Sequence, residues 1–149
     1  KYITIVTKMK IEEHEKALQE HINNLNKAIE EGVEENQRNI GYNVSQGSVE
    51  LFANYMHHLK LVEGSGDQWD HRTFKNKKKI EQKVPLEFLE QDKIMELMES
   101  IERERNVICY GKRKPKLRIE KMITHFQELR KLINTNIGEI KKQNEPQKK

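Results

Sequence analysis

Cysteine occurs once in this chain of 149 residues, at Cys109, so an internal disulfide is excluded. A lone thiol in a long helical chain fits a reducing cytoplasm. No catalytic-dyad signature surrounds it, so a buried structural thiol is expected rather than a nucleophile. Proline is rare, at three residues, and glycine modest, at seven, which leaves room for long uninterrupted helices. No stretch reaches the roughly 18 consecutive apolar residues of a membrane span. Residues 2–6 are shorter than a signal-peptide core, and they either start the first helix or form a short arm. A phosphate-cradling glycine loop and a nucleophile elbow are also missing. His57 and His58 are adjacent, so on a helix they diverge by about 100° and cannot share a metal. His14 and His21 share a face, but no acid or histidine at the needed spacing completes a zinc set. No metal and no cofactor are expected.

What is present is charge and period. Charged residues make up 35% of the chain and hydrophobic residues 34%. The apolar residues are few but helically spaced, so composition does not imply disorder. Length suggests one domain. A first helix, about 6–31, carries Ile11, Leu18, Ile22, Leu25 and Ile29 on one stripe, and Gly32 is its stop. A second, about 34–62, carries Ile40, Val44, Leu51, Phe52, Tyr55, Met56 and Leu59. Gly41, Ser45, Gly47 and Ser48 interrupt its middle, either for close helix–helix approach or to leave room for a ligand.

Residues 63–71 read as a loop, in which Trp69 serves as an anchor or stacks on a base. Asp70 suits the cap of a short lysine-rich helix over about 71–83. Pro85 opens a fourth helix reaching about 110, with Ile94, Leu97, Met98, Ile101 and Ile108 as its stripe. Gly111 and Pro115 break the chain, and a fifth helix runs from about 116 to 138 or 142. Its stripe is Ile119, Met122, Ile123, Phe126, Leu129, Ile133, Ile137 and Ile140. The fold class is therefore all-α: an antiparallel up-and-down bundle of four long helices plus one short one. Residues 1–143 form one domain and 144–149 a disordered tail.

Net charge is +4, unevenly spread: residues 1–36 hold eight acids and five bases, residues 111–121 six bases and one acid. Lys112, Arg113, Lys114 and Lys116, with Arg118 nearby, are either solvated surface or a phosphate-meeting patch. Lys75 and Lys77 to Lys79 form a second cluster.

The most informative segment runs from Glu102 to Gly111. Arg105 falls on the apolar stripe of the fourth helix, where an unpaired charge is costly. Glu102, Asn106 and Tyr110 follow at i, i+4 and i+8, a neighbouring polar line. On an ideal helix Arg105 and Tyr110 lie about 140° apart. They meet one target only if the helix distorts, if long side chains curl inward, or if a second subunit completes the site in a symmetric dimer. Otherwise Arg105 is an ion-pair partner of Glu102 or of an acid on another helix, and the bundle is a non-catalytic interaction module.

Arg105-Asn106, with Tyr110 after a short spacer near the end of the fourth helix, resembles the signature of the HEPN family (higher eukaryotes and prokaryotes nucleotide-binding domain). Ser45-Gln-Gly-Ser-Val-Glu50-Leu-Phe in the second helix is similar to that family too, and the helix order agrees over roughly residues 10–135. The family pattern is an arginine, a polar residue and then a histidine. Here Tyr110 stands where the histidine belongs. The resemblance implies a metal-independent ribonuclease in which the 2′-hydroxyl attacks its own phosphodiester. It assigns Arg105 to hold the phosphate, Asn106 to orient it, and Tyr110 to donate a hydrogen bond. Glu102 would fix Arg105, and Ser45 and Glu50 would line the facing helix. Tyrosine, with an ordinary pKa near 10, is a poor base at neutral pH, so the resemblance carries RNA or nucleotide binding further than cleavage. It also implies a homodimer, and a toxin paired with a nucleotidyltransferase antitoxin that transfers AMP to Tyr110.

Overall fold

The computed structural model describes residues 2–62, 69–84 and 87–144, with the backbone alone for residues 2–10. Residues 63–68 of the predicted loop, Pro85 and residues 145–149 of the predicted tail lie outside the described residues; residues 87–90 are described and not helical, so the fourth helix starts at Gln91 and not near 85. Among those described there are five α-helices, one 3₁₀ turn and no strand. In chain order they are α1 (Tyr2–Glu31), α2 (Gln37–His58), the 3₁₀ turn (His71–Phe74), α3 (Lys77–Lys83), α4 (Gln91–Ile108) and α5 (Lys116–Gln143).

The stripes of α2, α4 and α5 are buried almost throughout and merge into one core, whereas that of α1 is buried only at Ile22 and Leu25, with Leu18 and Ile29 partly covered and Ile11 outside the core. α2 lies at the centre and packs on α1, α4 and α5. Its flank against α1 is antiparallel, with His21 opposite Asn43 and His14 opposite Glu50. Against α4 it is antiparallel again: Gly41 faces Ile108, and the Tyr55 hydroxyl donates to the Leu89 carbonyl at 3.1 Å. α5 runs parallel to it, with Gly47 against Phe126 and the Asn136 amide donating to the Tyr55 hydroxyl. The result is the all-α, up-and-down bundle.

Small residues in α2 serve close approach. A Cβ at Gly41 would sit 3.0 Å from Cys109 Sγ and 3.1 Å from Ile108 Cγ2; one at Gly47 would sit 3.2 Å from Phe126 Cζ. Space that the sequence leaves open for a ligand is thus filled by α4 and α5. Ser48 turns its hydroxyl back onto the Val44 carbonyl, at 2.7 Å.

Helix ends depart from the periodic pattern because local backbone chemistry sets them. α2 stops at His58, not near 62. Lys60 takes a left-handed conformation (φ 60°) while the Lys60 and Leu61 amides close back onto the His57 and Met56 carbonyls. This is the usual helix-ending motif, with lysine in the place normally given to glycine. The predicted helix over 71–83 is two pieces. Asp70 caps the 3₁₀ turn by accepting from the Arg72 amide while Thr73 accepts from the Asp70 amide. Asn76 is then extended and caps α3 by accepting from the Lys79 amide at 2.9 Å. Trp69 is an anchor: its indole N–H donates to the Lys83 carbonyl, and its ring meets Phe52 edge-on.

Candidate functional site

The last two turns of α4 carry an acid and a base into the protein. Glu102 is 3% exposed and Arg105 8%. The period of the apolar stripe predicts this for Arg105. It does not for Glu102, which the spacing puts on the flanking polar line with Asn106 and Tyr110. The 3₁₀ turn packs against α4 and covers that flank, so the buried stripe is wider than the apolar residues suggest. Through this contact His71 Nδ1 comes 2.9 Å from Glu102 Oε1, across 31 residues of sequence. Asn106 Nδ2 donates to the same oxygen at 3.4 Å. Asn106 and Tyr110 are themselves exposed.

The separation of about 140° between Arg105 and Tyr110 presumes a helix that continues through both. α4 ends at Ile108 with Cys109 as its cap, and Gly111 follows at φ 77°. Tyr110 therefore lies beyond the helix, and the residue is 61% exposed. Arg105 and Tyr110 do not converge within one chain.

Arg105 lacks the partner that a structural arginine requires. No described carboxylate lies within 4.0 Å of its guanidinium nitrogens, and its Nε and Nη1 are buried without a hydrogen-bond acceptor. Glu102 Oε2 is likewise buried and unpartnered. Burial pushes the Glu102 carboxyl above the usual range, and the hydrogen bond and charge of His71, the charge of Arg105 and the bond from Asn106 pull it back only in part. The cluster thus holds two unused donors and one unused acceptor in a poorly solvated place. Each such group leaves about 1–3 kcal/mol of desolvation uncompensated.

Cys109 lies at the edge of this cluster. Its thiol faces the Arg38 carbonyl at 3.8 Å, and burial pushes its pKa up against the lowering pull of Arg105 and Arg38. A raised thiol pKa suits a structural cysteine and not a nucleophile.

The basic turn divides into fixed and exposed members. Arg113 Nη1 donates to the Glu34 carbonyl at 2.7 Å and to the Glu35 carbonyl at 3.3 Å. Gln37 clasps Lys114 at both its amide and its carbonyl, and Arg38 donates to the Gly111 carbonyl. The turn is therefore stapled to the connection between α1 and α2. Lys112 and Lys116 are exposed. Arg118 makes a two-pronged pair with Glu104, at 2.9 and 3.4 Å, which offsets its charge.

Of the two α2 residues that the resemblance implies, Ser45 is buried one turn beyond Gly41, on the flank that meets α4. Glu50 lies on the other side: nine residues past Gly41 is about half a turn round the helix, and it pairs with His14 of α1. The structure does not bring Glu50 to Arg105. The histidines near it form a separate group, in which the His14 and His57 rings lie 5.1 Å apart and His58 is 3.9 Å from Glu15. Among the described residues no group of three or more side chains is placed to hold a metal. No helix among them is long and apolar enough to cross a membrane.

His71 is the residue that spacing cannot find, because its place beside Glu102 is made by tertiary packing. The only local trace is Asp70, whose capping role starts the turn at His71. Compared with protein-family models, curated proteins and solved structures, the chain matches none.

Proposed function

We propose that this is a HEPN-like protein that binds RNA or nucleotide, with Arg105 as the phosphate-holding residue. One observation carries the reading: a buried guanidinium with no described carboxylate within 4.0 Å and with Nε and Nη1 unpartnered. A phosphate at the outer edge of the guanidinium supplies the opposite charge that the fold withholds. Asn106, exposed and one residue on, supplies a further amide, and Lys112 and Lys116 continue the positive charge outward. In the full form of the proposal two copies associate, and the protein is the toxin of a pair whose nucleotidyltransferase partner modifies Tyr110. The high exposure of Tyr110 fits an acceptor for such a group. The rival reading, an interaction module with Arg105 as an ion-pair partner, has Glu102 as its candidate acid, whose carboxyl feels the charge of Arg105 but makes no contact with it within 4.0 Å.

The test is binding of a labelled, mixed-sequence single-stranded oligoribonucleotide by fluorescence anisotropy, in parent and Arg105→Ala. A loss of tenfold or more in the variant, with the helical signal and melting temperature retained, is the expected result. Equal binding, or none by the parent, sinks the proposal. An Arg105→Ala chain that does not fold transfers support to the structural role.

A further inference from the structure

Away from Arg105, α1 and α5 both pack on α2 but hardly on each other. Over Gly47 they converge: a Cβ there would meet Phe126 of α5 at 3.2 Å and His21 of α1 at 3.5 Å. Two turns further along α2, at Asn54, they have parted and leave a groove of about 430 Å³, the size usual for a small-molecule site. It runs between Glu15 and Ile22 of α1 on one side and Arg130 and Lys141 of α5 on the other, about 16 Å along the latter. At Gly138 its wall is bare, since a Cβ there meets nothing within 4 Å. Its floor is polar. Asn54 is 4% exposed and lines the groove, and no described donor reaches its Oδ1. Arg130 lines it too, with Nε buried and without an acceptor, and its guanidinium lies 5.9 Å from the centre of the Phe126 ring.

An unmet acceptor at the floor calls for a ligand with an N–H or O–H, and an unmet guanidinium donor for one with an anionic oxygen. Arg130 and Lys141 have no described carboxylate within 4.0 Å of their charged nitrogens, so the positive charge of the α5 wall is not neutralised. Glu15 and Lys141 both act on His58 at one end, where burial, and then the charge of Lys141, hold the His58 pKa below its usual value against the pull of Glu15. The remaining polar lining is amide, from Gln19 and Asn134, and among the described residues no aromatic ring lines the groove. Such walls suit hydroxyl groups and offer no face on which a base could stack. We infer that this groove binds a small organic anion rich in hydroxyl groups, a sugar acid or a sugar phosphate, with its charge held by Arg130 and a hydroxyl donated to Asn54 Oδ1. The site is separate from Arg105, which belongs to α4, and stands whether or not Arg105 holds RNA.

The test is an NMR titration of the isotope-labelled protein with glucuronate and with glucose 6-phosphate, beside acetate as an anion without hydroxyls and glucose as a neutral sugar. The expected result is a saturable shift of the Asn54 and Gly138 backbone amides with glucuronate, glucose 6-phosphate or both, and clearly weaker binding of acetate and glucose. A response to glucuronate alone makes the anion a carboxylate; a response to glucose 6-phosphate alone makes it a phosphate ester. Arg130→Gln is expected to weaken binding by about tenfold or more, the size of a hydrogen bond to a charged group, and Asn54→Leu by about fivefold. Gly138→Leu fills the groove without removing a polar group and is expected to abolish binding. Its position is open, so this variant decides the matter if the other two fail to fold. No saturable shift at these amides, acetate or glucose bound as tightly as the hydroxylated anions, or undiminished binding by Gly138→Leu overturns the inference. Shifts confined to the end of α4 overturn it as well, and leave Arg105 as the anion ligand.

Discussion

A buried arginine with no carboxylate within 4.0 Å is a stability liability unless something else binds it. This gives a prediction at the scale of one residue. Arg105→Met keeps the length and apolar stem of the side chain and removes the charge. It is expected to raise unfolding free energy by about 1–4 kcal/mol, the range seen when buried ion pairs give way to apolar groups of similar volume, while RNA binding is lost. Urea denaturation of parent and variant decides it, and a variant less stable than the parent means that Arg105 has a favourable partner after all. Glu102 gives a second prediction with a definite sign. Its carboxyl is raised by burial, so between the ordinary glutamate value and the raised one the folded chain binds more protons than the unfolded chain. Stability therefore falls as pH rises through that window. Glu102→Gln is always neutral there and is expected to flatten this part of the profile. Thermal melts at a series of pH values check it; equal slopes in parent and variant would contradict the assignment.

At the scale of elements, close contact and open space make opposite forecasts for the same substitution. Alanine is a better helix former than glycine by about 1 kcal/mol. At Gly41 the added methyl meets Cys109 and Ile108 at 3.0 and 3.1 Å, and α2 cannot recede from α4 without disturbing the core. Gly41→Ala is expected to lose about 1–3 kcal/mol despite its better propensity. At Gly138 in α5 a Cβ meets nothing within 4 Å, so Gly138→Ala is expected to gain up to about 1 kcal/mol. Chemical denaturation of the two variants side by side tests both signs. Elements were legible in the sequence where burial follows a helical period: the stripe of α5 from Ile119 to Ile137 is buried as its spacing indicates. Their ends were less so, because Lys60 at φ 60° and the extended Asn76 act through single backbone conformations that no stripe records. The site was legible to the same degree. Arg105 stands out on an apolar stripe, and its neighbours in sequence are readable with it. The burial of Glu102 is not readable, since the cover comes from a turn 31 residues away, and His71 arrives by that same contact.

At the scale of the whole molecule, the charge that nominally belongs to the basic turn is not all available to a polyanion. Six bases lie between residues 111 and 121, but Arg113 is spent on two backbone carbonyls and Arg118 on Glu104. Lys112 and Lys116 are exposed and flank the end of α4, where Arg105 sits. Counterion release makes the affinity for a single strand fall with salt at a slope of about −0.7 per phosphate neutralised. Under the proposed function, Lys112→Ala and Lys116→Ala are each expected to reduce that slope by somewhat less than one. The double variant should approach the sum, because the two exposed side chains act independently. Arg118→Ala is expected to leave the slope nearly unchanged, since its charge is already offset by Glu104 at 2.9 Å. Arg113→Ala should instead lower thermal stability by loosening the staple onto the α1–α2 connection, with little effect on the slope. Anisotropy titrations of the labelled oligoribonucleotide over a range of salt concentrations read all of these from one plot per protein. A slope that responds to Arg118 as strongly as to Lys112 would mean that RNA meets this surface as diffuse charge, and not at a path leading to Arg105.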